Sequence, residues 1–375
     1  MVTIGKYIQQ KGDYKAFIPE QFPPKGLIFN ESKVIKLLSE AGLLLGKLDG
    51  IAKLLPDIDF FIFMYIKKES AYSSQIEGTK AKLTDALQAE VEKTPELPKD
   101  VDDILHYIKA MNKGLRRLEE IPLSLRLIKE VHSVLLTKAR GAAFPYPGEF
   151  RKGQNWIMGT APSDARFVPP PPQNVLSAMG DLEKFFYSHE EVPILIKVAL
   201  IHSQFETIHP FIDGNGRTGR LLITFYLCQQ NILERPVLYL SEYFKKHREL
   251  YFSMLDEYRK GNIAAWLEFF LKGIISVAKE AVETSDKIVD LREKDLHKVS
   301  ELGRASKNAI IVLKNLYKLP IINVRKIQEY TGLSREAANR LVKRFVKIGL
   351  LHPKEKGKTY GRLFIYKEYL DLFEK

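Results

Sequence analysis

The chain has 375 residues, of which 45% are hydrophobic, so it is long enough for roughly two or three domains with buried cores. This composition excludes an intrinsically disordered protein, and no stretch reaches the roughly eighteen consecutive apolar residues that a membrane-spanning helix needs. The net charge of +12 is compatible with binding to nucleic acid, with binding to an anionic membrane, or with a solvated basic surface.

The stretch MVTIGKYIQQKGDYK at residues 1–15 lacks the apolar segment of a secretory signal. Cys228 is the single cysteine, which excludes an intrachain disulfide. Both features favour a reducing compartment. We therefore expect a cytoplasmic protein without membrane contact.

The N-terminal region has the pattern of helices. Apolar residues recur at helical spacing from Val34 to Leu55 and again from Ile58 to Ile76. The proline-bearing stretch from Lys93 to Asp100 then interrupts the helical pattern. We place a first helical domain at residues 1–97.

The second of these helices ends in SSQIEGT, residues 73–79. Ser74 and Glu77 have the spacing of a capping box, which would begin a new helix. Gly78, directly after the last periodic residue, instead favours a helix C-terminus. A carboxylate there faces the negative end of the helix dipole, so Glu77 is expected to have a cationic partner.

Residues 98–290 form the second predicted domain and also have helical periodicity, as in Leu125 to Leu136. The sequence GEFRKGQNWIMGTAPSDARF, residues 148–167, is rich in turn residues and predicts a loop or hairpin on the helical scaffold. Trp156 within it is a candidate packing anchor. The four prolines from Pro169 to Pro172 predict an extended segment.

The motif HPFIDGNGRTGR, residues 209–220, contains Gly214, Gly216 and Gly219 at the G-x-G-x-x-G spacing of dinucleotide-binding loops. Such a loop directly follows a buried strand. Here a polar turn intervenes, and the segment from Ile194 to Phe205 before it has helical spacing. A phosphate site at the start of a helix fits the motif better.

Each residue type in the motif suits a phosphate site. The proline after His209 should end the preceding helix and leave the imidazole on a loop, where it titrates near neutral pH. Glycines let main-chain N–H groups approach an anion at the positive end of a helix that begins at about Gly216. Asp213 offers carboxylate oxygen to Mg²⁺, and Arg217 and Arg220 offer guanidinium groups to phosphate. The alternative for each residue is a tight turn with a structural histidine and solvated arginines, but the joint pattern favours the phosphate site.

The region from Glu301 onward follows a charged helical connector and holds 17 Lys and Arg against 7 Asp and Glu, so most of the net positive charge lies there. Its pattern is three helices followed by two β-like runs around a Gly/Lys turn in residues 349–366. This order predicts a winged helix-turn-helix domain at residues 291–375. The predicted helices are Ala305 to Leu319, Val324 to Tyr330 and Ser334 to Ile348.

The third of these helices is the candidate recognition helix of the domain. Its residues Arg335, Asn339, Arg340 and Lys343 are available to DNA phosphates or bases. A winged helix attached to an enzyme also serves protein docking, target recruitment or dimer contacts. Both alternatives stay open.

The motif at residues 209–220 closely resembles the signature of the Fic family, H-P-F-x-[D/E]-G-N-G-R-x-x-R, at every specified position. Residues from about 102 to 272 also resemble the Fic core. The resemblance implies a mostly α fold, with a Fic-type helical core and a small β-hairpin flap, to which the C-terminal winged helix-turn-helix domain is added. It also implies transfer of AMP from ATP to a protein hydroxyl with release of pyrophosphate.

The same resemblance implies a role for each residue of the motif. His209 would be the general base for a Ser, Thr or Tyr hydroxyl of a target protein, and Asp213 would hold Mg²⁺. A lysine in place of Gly216 is found in relatives that transfer the γ-phosphate instead, so this glycine favours AMP transfer. The residues that would bind ATP and its phosphates are Gly214, Asn215, Gly216, Arg217, Thr218, Gly219 and Arg220.

The segment SSQIEGT resembles the inhibitory motif of the family, [S/T]-x-x-x-E-[G/N], at Ser73, Glu77 and Gly78. The resemblance implies that Glu77 pairs with Arg220 and blocks productive placement of the ATP γ-phosphate. An autoinhibited enzyme is therefore predicted. Its Glu77→Gly form should transfer more AMP, including to itself.

Two further segments resemble the family more weakly. Residues Gly153 to Pro162 fall where the family has a flap that holds the target backbone by strand addition, although an ordinary exposed hairpin fits equally well. SEYFKKHRELYFSML, from Ser241, resembles the segment near the adenine, so Tyr243 or Tyr251 would border the base unless these rings belong to the core.

Two functions are compatible with these features. The first is a Mg²⁺-dependent protein adenylyltransferase, and the second is a DNA-binding regulator that senses ATP through the Fic site. The intact base and metal-binding acid favour the enzyme. A homodimer, the identity of the target and the removal of AMP stay open.

Overall fold

The computed structural model describes residues 2–27, 29, 31–54, 58–92, 97–137, 146–188, 192–233, 235–355 and 361–374. Within these residues the fold is mostly helical, which confirms the predicted mostly α class. No helix among them is long and apolar enough to cross a membrane.

A β-hairpin precedes the helices. Its strands are antiparallel, and Gly5 pairs with Pro19 at one end and Gln10 with Tyr14 at the other. The N–H of Phe17 donates to the carbonyl of Val168 at 2.9 Å, which attaches the hairpin to the segment that leads into the four prolines. The strands are β1 (Gly5–Gln10) and β2 (Tyr14–Pro19).

Ten helices follow within the described residues before the longest one. They are α1 (Ser32–Leu54), α2 (Ile58–Ile76), α3 (Leu83–Val91), α4 (Val101–Leu118), α5 (Leu125–Leu136), α6 (Pro172–Phe186), α7 (Ile194–Ile208), α8 (Asn215–Gln229), α9 (Ser241–Lys246) and α10 (Arg248–Arg259). α7 and α8 pack against each other and are buried over most of their length. The turn that joins them therefore lies at one end of the helical core.

The longest helix, α11 (Ile263–Ser300), has 38 residues, and α1 packs along it. The predicted domain boundary between residues 290 and 291 falls inside this helix. The buried side chains of Ile288 and Val299 show why, since the apolar periodicity continues across the boundary. The chain leaves the helix only at Glu301.

The basic C-terminal region is compact. After the 3₁₀ turn Gly303–Ala305 it contains α12 (Ser306–Leu316), β3 (Ile321–Ile322), α13 (Val324–Thr331), α14 (Arg335–Lys347), β4 (His352–Pro353), β5 (Phe364–Ile365) and α15 (Lys367–Leu370). The strands form an antiparallel sheet in the order β3-β5-β4.

The turn between α13 and α14 has a local cause in the sequence. Gly332 ends α13 with a φ of +70°, and the Ser334 side chain accepts a hydrogen bond from the N–H of Ala337 at 3.3 Å. The predicted Gly/Lys turn falls on residues 356–360, which lie outside the described residues. The assignment of a winged helix-turn-helix domain stays a prediction.

Candidate active site

A cavity of about 350 Å³ lies where the C-terminal end of α2 meets the N-terminal end of α8. Both sequence motifs contribute to its wall. The SSQIEGT motif supplies Glu77 and Gly78, and the motif at residues 209–220 supplies His209, Asp213, Gly214, Asn215, Gly216 and Arg220.

The turn between α7 and α8 is held by its own side chains. His209 follows the last residue of α7 and has a φ of +50°, so the helix ends there as the following proline predicts. Gly214 has a φ of +76°. The amide of Asn215 accepts from the N–H of Phe211 and donates to its carbonyl, both at 2.8 Å. α8 begins at Asn215, one residue earlier than predicted, and its first residues, Asn215 and Gly216, line the cavity.

Two side chains that sequence reasoning missed hold this turn from outside. His132 on α5 accepts at Nδ1 from the N–H of Gly148 at 2.8 Å, so its Nε2–H donates to the carbonyl of Asp213 at 2.9 Å. Burial lowers the pKa of His132 to about 4, which keeps this ring neutral. Arg151 donates from Nε to the carbonyl of His209 at 2.9 Å. Neither residue lies near the motif along the chain, so no local signal marks it.

The SSQIEGT motif contacts Arg220, the second arginine of the glycine motif. Glu77 Oε1 accepts from Arg220 Nη2 at 2.6 Å. The Ser73 hydroxyl accepts from Arg220 Nε at 2.8 Å, and the Ser73 carbonyl accepts from Nη2 at 3.0 Å. Burial would raise the pKa of Glu77, but the charge of Arg220 and its hydrogen bond hold that pKa below its usual range.

The end of α2 places Glu77 at the cavity. α2 ends at Ile76, and Gly78 has a φ of +94°, as expected for a helix C-terminus. Ser74 lies inside the helix rather than at a new N-terminus, so the capping-box alternative is wrong. The Arg248 guanidinium donates from Nε to the carbonyl of Ile76 at 3.1 Å, where the helix dipole favours a cation.

Two family matches cover these elements. Residues 35–116, which include the inhibitory segment, match the Fic/DOC family N-terminal region, and residues 122–227 match the Fic/DOC family itself. The chain belongs to the Fic/DOC family.

Curated relatives of known name match part of the chain. A probable protein adenylyltransferase from Aquifex aeolicus (strain VF5) is 26% identical over 206 residues, which is 55% of this chain and 59% of that protein. The protein adenylyltransferase Fic from Drosophila erecta is 31% identical over 166 residues, which is 43% of this chain and 30% of that protein. The chain therefore spans less than two thirds of either relative.

Solved structures share the fold. A Fic family protein from Desulfovibrio desulfuricans G20 superposes with a TM-score of 0.58 at 18% identity, covering 90% of this chain and 96% of the other. A Fic domain containing signaling protein from Bacteroides thetaiotaomicron VPI-5482 superposes with a TM-score of 0.52 at 18% identity, covering 68% of this chain and 97% of the other. The predicted Fic-type helical core is thus confirmed as a fold.

The two arginines of the Fic motif lie in different surroundings. Arg220 lines the cavity, whereas Arg217 is absent from the cavity lining and is only 3% exposed. Its guanidinium lies 3.6 Å from the Asp103 carboxylate of α4 and 3.8 Å from the Asp213 carboxylate. Thr218 is also absent from the lining, because its hydroxyl turns back to donate to the Gly214 carbonyl at 2.8 Å. The expected phosphate contacts of these two residues are therefore not preformed.

The imidazole of His209 faces the cavity and retains 18% of its side-chain exposure. Burial and the charges of Arg259 and Arg151 lower the pKa of His209 to about 3. The expected titration near neutral pH is therefore wrong, because a desolvated ring between cations resists protonation. The ring is neutral at physiological pH and is able to accept a proton.

The glycine spacing of the Fic motif has a steric cause in this structure. Gly214 adopts a positive φ, as described above. A Cβ at Gly216 would overlap the Glu77 carboxylate, and a Cβ at Gly219 would overlap the Glu206 carboxylate. Two of the three glycines thus make room for two carboxylates, which explains why a dinucleotide-like spacing occurs here without a Rossmann fold.

The predicted flap borders the cavity. Ile157 and Phe167 form an antiparallel bridge through N–H to carbonyl hydrogen bonds of 2.9 and 3.3 Å. Trp156 lines the cavity and is 39% exposed, so it is not a packing anchor. Tyr251 also lines the cavity, whereas Tyr243 is absent from the lining and packs against Phe269. Of the two candidate adenine neighbours, only Tyr251 lines the cavity, and its ring is 1% exposed and stacks on Phe244 in the core.

Asp213 is the carboxylate of the Fic motif that faces the cavity, and its side chain is 44% exposed. The described residues contain no cluster of three or more His, Cys, Asp or Glu side chains that would hold a metal by themselves. Mg²⁺ usually takes one or two carboxylates and fills its other positions with water and substrate phosphates. A single exposed carboxylate beside the glycine turn at the start of α8 fits that requirement.

Proposed function

We propose that this protein transfers AMP from ATP to a Ser, Thr or Tyr hydroxyl of a target protein, and to itself, under restraint by Glu77. The observation that carries the proposal is the pairing of Glu77 with Arg220 in a cavity that also holds His209 and the start of α8. The names of the Aquifex and Drosophila relatives support the adenylyltransferase reaction.

The phosphates of ATP would lie at the N-terminus of α8. The N–H groups of Gly214, Asn215 and Gly216 and the guanidinium of Arg220 would bind phosphate oxygens. Arg217 would join them after a change of its side-chain position. Mg²⁺ held by Asp213 would neutralise charge on the phosphates.

His209 would act as the general base. The hydroxyl oxygen of the target forms a bond to the α-phosphorus while its proton moves to the imidazole, and the bond from that phosphorus to the bridging oxygen breaks. Pyrophosphate leaves with the electron pair of the broken bond. Because Nδ1 of His209 is buried, Nε2 is the nitrogen available to the hydroxyl.

The restraint would arise because Glu77 and a phosphate of ATP compete for the guanidinium of Arg220. The Glu77 carboxylate lies against both Arg220 and the α-carbon of Gly216, where a phosphate would bind. A carboxylate and a phosphate at this place repel each other, and each needs the same donors. ATP would therefore bind in a productive position only after Glu77 moves.

The test compares wild type with Glu77→Gly, each incubated with Mg²⁺, a cell lysate whose own kinases have been inactivated, and ATP labelled at either the α- or the γ-phosphate. Label from the α-phosphate alone should enter protein, and Glu77→Gly should increase it. Mass spectrometry of the labelled chains identifies the target. Transfer of γ-label would contradict AMP transfer. If neither protein transfers any label, the proposed enzymatic activity is contradicted.

A second candidate function is supported by the exposed basic face of α14. Arg335, Asn339, Arg340 and Lys343 are all exposed there. A DNA-binding regulator that senses ATP through the Fic site would use this face. Binding to random duplex DNA, measured at two salt concentrations, tests this function, because contacts to DNA phosphates weaken as the salt concentration rises. If the protein has no affinity for DNA at low salt, this function is contradicted.

A further inference from the structure

A second carboxyl, that of Glu206, lies beside His209 in the cavity wall. Glu206 is on the last turn of α7, its side chain is 7% exposed, and its Oε2 lies 3.9 Å from Nδ1 of His209. Oε1 of Glu206 is buried without a hydrogen-bond partner, and Nδ1 of His209 is buried and makes no hydrogen bond of good geometry, although the main chain of Glu206 faces the ring and raises its pKa. Oε2 is the carboxylate oxygen nearest to Nδ1, and buried polar atoms are normally paired, so a small movement of either side chain would bring these two atoms within hydrogen-bond distance.

The fold keeps space for this carboxyl. Oε1 of Glu206 lies against the α-carbon of Gly219 on α8, where any side chain would overlap it. The main-chain carbonyl of Glu206 is held by Arg259, whose Nη2 donates to it at 3.3 Å. The side chain lies between α7 and α8, with Oε1 against Gly219 and Oε2 toward the ring.

We propose that Glu206 is a positioning residue for His209: it accepts a hydrogen bond from Nδ1–H, which presents the unprotonated Nε2 to the target hydroxyl. This inference rests on the proposed AMP transfer. When Nε2 takes the hydroxyl proton, the ring becomes an imidazolium with N–H groups on both sides. The Glu206 carboxylate then stabilises that charge.

The surrounding charges show why such a partner is needed. Burial and the cations Arg259 and Arg151 lower the pKa of His209 to about 3, opposed by Glu77. A base with so low a pKa accepts a proton poorly at neutral pH. A second negative charge beside the ring raises its basicity.

The same charges connect Glu206 to the inhibitory residue. Burial raises the pKa of Glu206 to about 7; Arg220 and Arg259 oppose this rise, whereas Glu77 adds to it. Removal of Glu77 from the cavity therefore favours the ionised form of Glu206.

The experiment uses the full chain carrying Glu77→Gly, with ring ¹⁵N-labelled histidine. The His209 signals are assigned by their loss in His209→Ala. Glu206→Leu removes both charge and acceptor, and should shift the neutral His209 ring from the Nδ1–H toward the Nε2–H tautomer. It should also lower kcat for self-labelling at least about tenfold with little change in KM for ATP. Glu206→Asp, which keeps the charge on a shorter chain, should restore part of both.

Glu69→Gln is the matched control. Glu69 is a buried carboxylate that accepts hydrogen bonds from Ser241 and Tyr107, and it is absent from the cavity lining. It should leave the His209 tautomer unchanged. If Glu206→Leu does not fold, Glu206→Ala, which also removes both charge and acceptor, replaces it in both measurements. An unchanged tautomer, or an unchanged kcat, in the Glu206 variant would overturn the proposal. If none of the proteins transfers AMP, the proposed function fails, while the ¹⁵N spectra still decide whether Glu206 orients the ring.

Discussion

α8 and α14 both carry arginines, but the arginines of the two helices differ in burial and in the source of their partners. Arg217 and Arg220 on α8 are 3% and 2% exposed, and carboxylates from other helices lie beside both. On α14, the side chain of Arg340 is 60% exposed and pairs with Glu336 of its own helix. A buried guanidinium has to be paired or liganded, whereas an exposed one is satisfied by water.

This difference distinguishes an internal site at α8, formed by side chains from several segments, from a basic surface at α14. At α8, the arginine partners come from distant parts of the chain, and the glycines leave room for two carboxylates. At α14, Arg340 pairs within its own helix, and the side chains of Arg335, Asn339 and Lys343 are exposed. Substitutions at α8 should therefore have large and specific effects, whereas those at α14 should have small and graded ones.

The largest effect is expected at the base. In the Glu77→Gly protein, His209→Ala should lower the rate of AMP transfer by about 10²- to 10⁴-fold, the range that a positioned general base contributes. ATP binding, followed by calorimetry, should change little because the imidazole is not a phosphate ligand. Equal labelling by the two proteins would show that the base lies elsewhere.

Removal of the inhibitory carboxylate should act in the opposite direction. Glu77→Gly should raise self-labelling by about 10- to 100-fold, since a hydrogen bond between charged groups contributes about 1.5–3 kcal/mol. Ser73→Ala removes only the neutral acceptor of Arg220 and should give a smaller increase. The measurement is initial rate with α-labelled ATP. A decrease in either variant would mean that this end of α2 supports the site instead of restraining it.

Much of this site could be predicted because its chemistry is local in sequence. The twelve positions from His209 to Arg220 contain the base, the acid, the glycines and both arginines. The periodicity of α2 placed its last residue at Ile76, and Gly78 indicated its end. Helical periodicity and helix-ending residues depend on near neighbours, which a single sequence shows.

The unpredicted parts depend on contacts between distant segments. Nothing near His132 or Arg151 indicates that they hold the turn before α8, and nothing in β1 and β2 indicates that they join the segment at Val168. Glu206 precedes His209 by three residues, a helical spacing that does not by itself show that the carboxyl faces the ring. The low pKa of His209 was also missed, because the burial of a loop residue is set by the elements packed over it.

The space that Gly219 leaves for the Glu206 carboxylate can be tested by measuring the free energy of unfolding. Gly219→Ala should destabilise the protein by about 1–3 kcal/mol, because the new methyl group overlaps the Glu206 carboxylate. Glu206→Ala in the same chain should recover most of this loss. Gly180→Ala on α6 is the matched control, since its methyl group meets no atom within 4 Å and alanine is favoured in a helix interior by about 0.5–1 kcal/mol. Chemical denaturation measures all four proteins, and equal effects at the two glycines would remove the steric explanation.

The smallest effect is expected on α14. If the basic face binds duplex DNA, Lys343→Ala should weaken binding similarly for all sequences and reduce the slope of log affinity against log salt by about 1. Arg340→Ala should have less effect than Lys343→Ala, since Arg340 is already paired with Glu336. Fluorescence anisotropy at several salt concentrations measures both. A loss of affinity for one sequence alone would instead indicate base contacts, and α14 would then be a built recognition surface comparable to the start of α8.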